Sequence, residues 1–437
     1  MRDFISKFIL FLADFAVIVL SIILAFLFRE MFNGIFENRF EHDLNLYITF
    51  APIYIFTLTL FFYDGIYTKR YDFWHETREV VKSLLLSFVI LMAYLAMTKS
   101  IESYSRATII FIFCLMIILI PIEKIILKRF LFKLGLWAKD ASIYRDDPFI
   151  QQEIFSNTYL GYRYSKDAST IFINSAREDR DTLSKVIDDE ILQTHEVIFV
   201  PLIDQYNLTQ STIYYIFNSH TNLFVFRNRL KSRYRQIVKY SLDLVGSILI
   251  LPFILPVMGL IAWLIKTEEP EENIIFKQKR LGKDGKLFTC YKFRTMYQDS
   301  DRILSEYLEK NPDERRYFEE FHKCKNDPRV TKIGKFLRRS SLDELPQIFN
   351  VLKFEMSLVG PRPYMVEEVS GLGEYIDTVL NVRPGITGLW QVSGRGDLDF
   401  ENRIELDVWY IRNWSVWLDI VILFKTVKVV LKREGAY

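Results

Sequence analysis

Asp343 and Glu344 stand side by side in the stretch KFLRRSSLDELPQIFNVLKFEMSLVGPRP, residues 335–363, between the guanidiniums of Arg338 and Arg339 and a Pro-Arg-Pro turn at Arg362. That grouping suits phosphate chemistry. One carboxylate can attack phosphorus as a nucleophile, and its neighbour can hold a Mg²⁺ that bridges the phosphate oxygens of a nucleotide. Arg338, Arg339 and Arg362 can neutralise a pyrophosphate, because the planar guanidinium fork matches phosphate oxygens two at a time. A structural reading stands beside this one. Ser341-Leu342-Asp343-Glu344 also fits a helix capping box, with the two acids merely complementing a helix dipole. Pro346 disfavours a helical Leu345, so the helix can instead start at Pro346 and leave both acids in the preceding turn.

The rest of the chain has to bring such a group to its substrates. With 50% hydrophobic and 16% aromatic residues, 437 residues in all, it is too apolar for an ordinary soluble protein and long enough for two or three domains. Lys+Arg 56 against Asp+Glu 54 gives no global field that would attract nucleic acid. Three cysteines without metal-like spacing fit a reducing compartment for the soluble part.

Residues 4–28, 46–63, 80–97 and 107–123 are apolar segments near bilayer length, which predicts four transmembrane helices. The first is too long for a signal peptide and lacks a small-residue cleavage site, so it reads as a retained helix. Arg2 and Lys7, then Lys69, Arg70, Arg78 and Lys82, then Lys124, Lys128, Arg129 and Lys133 mark three cytoplasmic sites by the positive-inside rule. Within these helices Asp14 stands alone, without the paired buried charges a transport pathway would need. From about Ala141 the sequence turns polar, with β-like runs at Ser169–Ile173, Glu196–Pro201 and Asn222–Phe226 and helical spacing over Arg177–Leu192. A small α/β domain with a largely parallel sheet follows. It lacks a Gly-x-Gly-x-x-Gly turn, so a scaffolding or regulatory role is expected there rather than a cofactor site. An apolar run from Leu244 to Ile265 is long enough to span, yet Pro252 and Pro256 should break it. The final amphipathic segment, Trp409–Leu431, reads either as a core-packing helix or as one lying at the membrane interface.

Four more clusters flank the acidic pair: Phe276–Gly282 (FKQKRLG), Tyr291–Met296 (YKFRTM), Asp327–Gly334 (DPRVTKIG) and Arg383–Arg395 (RPGITGLWQVSGR). Together with SLDELPQIFNVLK and MSLVGPRP, and in this order, they resemble the bacterial polyprenyl-phosphate hexose-1-phosphate transferases, the monotopic phosphoglycosyl transferases. The match runs from about Lys231 to the C-terminus. The N-terminal layout resembles the long members of that family, and the ending LDVWYIRNWS…LKREGAY is most similar to the undecaprenyl-phosphate galactose phosphotransferases.

The resemblance implies an α-helical transmembrane bundle over residues 1–135, a cytoplasmic α/β (Rossmann-like) domain over 136–228, and an α-rich catalytic domain over 229–437 whose helix 244–265 is re-entrant, broken at Pro256. It makes Asp343 the nucleophile and Glu344 the Mg²⁺ ligand, with Arg294, Arg338 and Arg362 on phosphate or nucleotide, and Arg280 and Lys292 completing the substrate contacts. The implied reaction moves a sugar 1-phosphate, expected to be galactose 1-phosphate, from a UDP-sugar to undecaprenyl phosphate and releases UMP. Its implied setting is the cytoplasmic face of the bacterial inner membrane, among membrane lipids, as a homodimer. Cationic neighbours at a helix start should keep Asp343 ionised and nucleophilic at neutral pH. Two departures stand out: Phe354-Glu355 replaces the family's usual Gly-Asp, and Leu255 precedes Pro256 where some members have Ser. Two rivals from other classes are a transporter built on the broken helix and a membrane-tethered nucleotide-sugar sensor; loss of activity on changing Asp343 separates the enzyme from both.

Overall fold

A computed structural model describes residues 2–32, 43–174, 186–187, 189–190, 196–200, 212–216, 221–225, 230, 232–315, 324, 327–394 and 398–432. Two compact units result, Met1–Leu202 and Ile203–Tyr437.

The first unit begins with α1 (Arg2–Met31), the short α2 (Leu44–Ile48), α3 (Ala51–Asp64), α4 (Phe73–Met97) and α5 (Arg106–Lys133). Leu10, Ile18, Ile22, Phe61, Leu84, Leu91, Ile112 and Met116 form the bundle core. Phe8, Phe15, Leu24, Leu85 and Ile126 are exposed on the outside. Helices that are apolar all round belong in lipid. Where backbones approach, the buried residues are small: Ser21, Ala25, Ser83, and the pair Thr57 and Ser87, whose hydroxyls are 2.9 Å apart. Asp3, Lys7, Lys69, Arg70 and Lys139 line one cleft, so the start of α1, the α3–α4 connection and the exit of α5 lie at the same end of the bundle. That agrees with the charge asymmetry.

The expectation that Asp14 stands alone is overturned. Helix α5 continues ten residues past the apolar segment, to Lys133, and so carries Lys124 and Lys128 into the bundle instead of past its end. Lys124 Nζ donates to Asp14 Oδ2 at 2.9 Å, and Lys128 Nζ to Glu76 Oε2 at 2.5 Å, with all four side chains buried. Tyr159 OH donates to the same Glu76 oxygen at 2.7 Å. A charge cannot stay unpaired in so dry a place, and periodicity alone could not show which partner would come from 110 residues away.

Beyond the bundle, β1 (Lys139–Ile143), β2 (Tyr162–Tyr164), β3 (Thr170–Asn174) and β4 (Glu196–Val200) form a sheet in the order β2-β1-β3-β4, parallel throughout. Thr170 to Ile173 are buried without alternation, as a strand covered on both faces requires. The helical stretch expected at Arg177–Leu192 lies largely outside the described residues. The run at Asn222–Phe226 does not join this sheet. As β6 (Thr221–Val225) it pairs antiparallel with β5 (Thr212–Ile216), in the second unit, because the connection over residues 217–220 is too short for a crossover.

After this hairpin the second unit continues with α6 (Arg233–Glu268), one uninterrupted helix of 36 residues. The break expected at Pro252 and Pro256 is not a gap in the helix. Prolines four residues apart lie on one face, so the hydrogen bonds they remove are on one side and can be absorbed by bending. There follow a hairpin of β7 (Ile275–Leu281) and β8 (Leu287–Phe293), then α7 (Ser300–Lys310), α8 (Lys332–Ser340), α9 (Ile348–Leu352), β9 (Ser357–Val359), α10 (Ile376–Leu380), β10 (Gly385–Thr387), α11 (Leu389–Val392), α12 (Phe400–Arg412) and α13 (Val416–Lys432). β9 and β10 pair in parallel. The segment read as one amphipathic helix is therefore two, α12 and α13, and Trp414 between them is buried, donating its Nε1–H to Asp419 at 3.0 Å.

Candidate active site

Asp343 and Glu344 sit in a 3₁₀ turn, Leu342–Gln347, that links α8 to α9. The chain leaves α8 through Ser341 in the left-handed region (φ 55°), and Ser341 makes no capping bond to the turn, so the capping-box reading fails. The alternative, acids in the turn before a helix, is close to what forms, although the α-helix starts at Ile348, not at Pro346. The start of α8 is itself held by α6: Glu268 accepts from the Lys332 and Ile333 amides at 2.8 and 3.1 Å, and Thr331 Oγ1 accepts from Gly334. Leu342 and Leu345 pack with Leu337 on Met258, Ile261 and Ile265 of α6. The acidic turn is thus anchored to the long apolar helix.

Two glycines explain why separate motifs meet here. A Cβ on Gly334 would come within 2.1 Å of Thr295 O, so DPRVTKIG can lie against YKFRTM only with glycine at that point. A Cβ on Gly385 would come within 2.1 Å of Gly360 N, which joins RPGITG to MSLVGPRP in the same way.

A cleft of about 220 Å³ is lined by Arg280, Lys292, Glu344, Gln347, Arg362, Trp390 and Gln391, among others. Lys292 Nζ donates to Glu344 Oε1 at 2.6 Å, which spans the gap between β8 and the acidic turn. Arg362 Nη2 donates to Glu368 Oε1 at 2.9 Å, and Arg280 Nη1 lies 3.6 Å from Glu368 Oε2 and 3.1 Å from Pro363 O. Of the residues expected from sequence, the fold brings Arg280, Lys292, Glu344 and Arg362 onto one cleft, with Asp343 next to it in the turn. Arg338 is held by Thr295, Nε to Oγ1 at 2.9 Å, where its charge acts on Asp343. Arg294 lies apart from the cleft lining, its guanidinium bound to Glu272 at 2.7 Å.

Burial and the adjacent Glu344 charge push the Asp343 carboxyl up to about 6, against the opposing pull of Lys292 and Arg338. Desolvation outweighs the neighbouring cations, yet a carboxyl near 6 is still largely ionised at neutral pH, in line with the expectation from sequence. Lys292 is itself shifted up: burial pulls it down, but Glu344 and Asp343 together with Cys290 outweigh that pull. Burial pushes the Cys290 thiol to about 11, so it is no thiolate nucleophile at neutral pH. Among the described residues no three or more Asp, Glu, His or Cys converge as a metal cage. Glu344, a hard carboxylate on the open cleft, fits Mg²⁺, which is held by one or two carboxylates together with substrate phosphates.

Sequence reasoning missed Asp407. Fully buried on α12, it accepts from the Arg362 amide at 3.0 Å and from Tyr364 OH at 2.9 Å, fixing the Pro-Arg-Pro turn. Burial raises it to about 7. An acid inside LDVWYIRN, a segment used only for likeness, was the available signal. Asn350 was missed as well: buried on α9, it accepts from the Tyr291 amide and donates to Thr289 O and Glu355, locking the turn's helix to β8. At the Phe354-Glu355 departure Phe354 takes a left-handed φ of 60°, a conformation that a glycine adopts freely.

Residues 234–433 match the bacterial sugar transferase family. The chain is 37% identical over 404 residues to an undecaprenyl-phosphate galactose phosphotransferase of Salmonella typhimurium, covering 85% of this chain and 84% of that one. It is 34% identical to an uncharacterized sugar transferase of Haemophilus influenzae over the full length of both. A UDP-glucose:undecaprenyl-phosphate glucose-1-phosphate transferase of Klebsiella pneumoniae is 36% identical over 311 residues, 66% of this chain and 62% of that protein. The chain belongs to the bacterial sugar transferase family. It is a phosphoglycosyl transferase and a membrane protein, which sets the transporter and sensor readings aside.

Proposed function

We propose that this enzyme transfers a sugar 1-phosphate, galactose 1-phosphate in the first instance, from a UDP-sugar to undecaprenyl phosphate, releases UMP, and so initiates O-antigen, capsule or exopolysaccharide synthesis. The observation that carries the reading is the acidic turn: Asp343 beside Glu344, flanked by Lys292 and Arg338, at a cleft that also presents Arg280 and Arg362. Asp343 attacks the phosphorus that bears the sugar, the P–O bond to UMP breaks, and a phosphosugar-aspartate remains. Undecaprenyl phosphate then attacks that phosphorus and frees Asp343, in a ping-pong sequence. Arg362 and Arg280 hold the diphosphate oxygens by their guanidinium forks and exchange Glu368 for substrate. Arg338 stays on Thr295 and favours the ionised nucleophile. Mg²⁺, bound through Glu344, would supply positive charge for the phosphate oxygens.

The galactose assignment rests on the Salmonella relative; the Klebsiella one names glucose. Purified enzyme with Mg²⁺ and a panel of UDP-sugars, scored for UMP release with and without undecaprenyl phosphate, tests the substrate. UMP release from no UDP-sugar in the panel would overturn the reading.

The same proposal places the enzyme in the inner membrane as a homodimer, with a Rossmann-like middle domain and the catalytic unit on the cytoplasmic face. α6 then enters and leaves on that face, bent at its prolines, with basic residues before and after its apolar stretch. In a cysteine-free background, single cysteines at Ser232 and Glu271 should both resist an impermeant maleimide until cells are opened. Labelling of position 271 alone in intact cells means a full crossing.

A further inference from the structure

The cleft at the basic end of the bundle, about 490 Å³, lies wholly within the first unit and outside the chemistry described above. Two of its lysines are already neutralised: Lys7 pairs with Asp3 at 2.5 Å, and Lys139 pairs with Glu196. Lys69 and Arg70 are not. Among the described residues neither has a carboxylate within ion-pair distance; Lys69 Nζ reaches the Asp64 carbonyl at 3.5 Å and lies 5.8 Å from the Tyr71 ring centroid. Asp3 and Glu196 on the same cleft act on Arg70 from beyond ion-pair distance, each beside a lysine of its own, so this concave surface keeps an excess of positive charge that an anion would offset.

Arg70 is built for that role. Its Nη1 donates to the carbonyls of Trp137, Leu160 and Gly161, each at 3.0 Å, and its guanidinium lies 4.4 Å from the Trp137 ring and 5.4 Å from that of Tyr162. Gly161, at φ +77°, leaves room for this approach; a Cβ there would meet Arg70 Nη1 at 2.4 Å. One nitrogen is thus fixed by backbone while Nε and Nη2, the remaining donors of the fork, have no hydrogen-bond partner among the described residues. A partly buried guanidinium that is immobilised, has no described carboxylate within ion-pair distance and is half-free in its donors has room for a directly bound anion. A phosphate accepts from a guanidinium fork two bonds at a time.

We propose that this cleft binds a phosphate group through Arg70 and Lys69, presented by an anionic lipid headgroup or as free phosphate. Full-length protein is reconstituted in nanodiscs of phosphatidylcholine alone, of phosphatidylcholine with phosphatidylglycerol, and of phosphatidylcholine with inorganic phosphate in the buffer. The thermal unfolding midpoint of wild type is then compared with those of Lys69→Ala and Arg70→Gln. A rise with phosphatidylglycerol only assigns a lipid headgroup, and a rise with inorganic phosphate assigns the free ion. In either case Lys69→Ala, an exposed position whose loss leaves the fold and turnover intact, should cut the rise by half or more. No rise in either arm, or an equal rise in wild type and Lys69→Ala, overturns the proposal, including where Arg70→Gln does not fold.

Discussion

Two of the lysine–carboxylate clusters among the described residues differ in one respect: access to water. In the bundle, Asp14, Glu76, Lys124 and Lys128 are paired at 2.5–2.9 Å with side chains at most 1% exposed. In the catalytic unit, Lys292 and Glu344 pair just as closely, at 2.6 Å, but keep 29% and 21% of their side chains exposed on a cleft. Burial makes the first set a fixture, because removing one partner leaves a charge in a dry interior. Exposure makes the second exchangeable, because a substrate phosphate can replace either member at small cost. Composition is thus a poor guide to role; the solvent around the pair decides it.

That contrast predicts opposite effects of similar substitutions. Asp343→Asn should lower turnover by about a thousandfold or more, since the nucleophile is lost outright, while the protein still folds. Because the folded Asp343 titrates near 6, above the ordinary carboxylate value, wild-type turnover should fall about tenfold per pH unit below 6. The same shift has a stability sign. The contribution of the protonated side chain is fully present below about pH 4 and lost as pH rises through 6, so Asp343→Asn should melt higher than wild type at pH 7.5 and level with it near pH 4. A pH profile flat from 5 to 8 would place the ionisation elsewhere.

Lys124→Ala in the bundle should do the reverse, destabilising by about 3 kcal/mol while sparing turnover per folded molecule. Thermal unfolding in detergent and specific activity read the two separately. If activity per folded molecule dropped as far as in Asp343→Asn, the bundle cluster would belong to the reaction.

Less of the catalytic cluster should be lost when charge is kept and shape is not. Arg362→Lys retains the cation without the fork and should cost about 1–3 kcal/mol in kcat/KM. Wild-type kinetics would make Arg362 a solvated surface charge. The smallest effect is expected at Phe354, held at φ 60° with its ring 5.3 Å from Arg383. Phe354→Gly should relieve about 1 kcal/mol of backbone strain and raise the midpoint slightly; a large fall would show that the ring's contacts outweigh the strain.

How much of this was legible in the sequence follows from separation along the chain. Asp343, Glu344, Arg338 and Arg362 lie within thirty residues of one another, and their motifs announced them. The four apolar helices and the strand at Thr170–Asn174 were visible for the same reason, a local periodicity. Partners brought from afar were not. Asp407 reaches Arg362 across 45 positions, and Lys128 reaches Glu76 across 52. Helical continuity through Pro252 and Pro256 also escaped, because a local rule against proline takes no account of where the lost bonds fall. The upward shift of Asp343 was not legible for a related reason: sequence shows nearby cations but not the depth of burial.

The central claim, that Asp343 carries the sugar phosphate, is tested most directly by intact-protein mass spectrometry. Wild-type enzyme mixed with Mg²⁺ and its UDP-sugar, with undecaprenyl phosphate withheld, should gain the mass of one sugar phosphate, lose it when the lipid is added, and gain nothing as Asp343→Asn. An unmodified wild-type mass, with UMP released only when both substrates are present, would contradict the account.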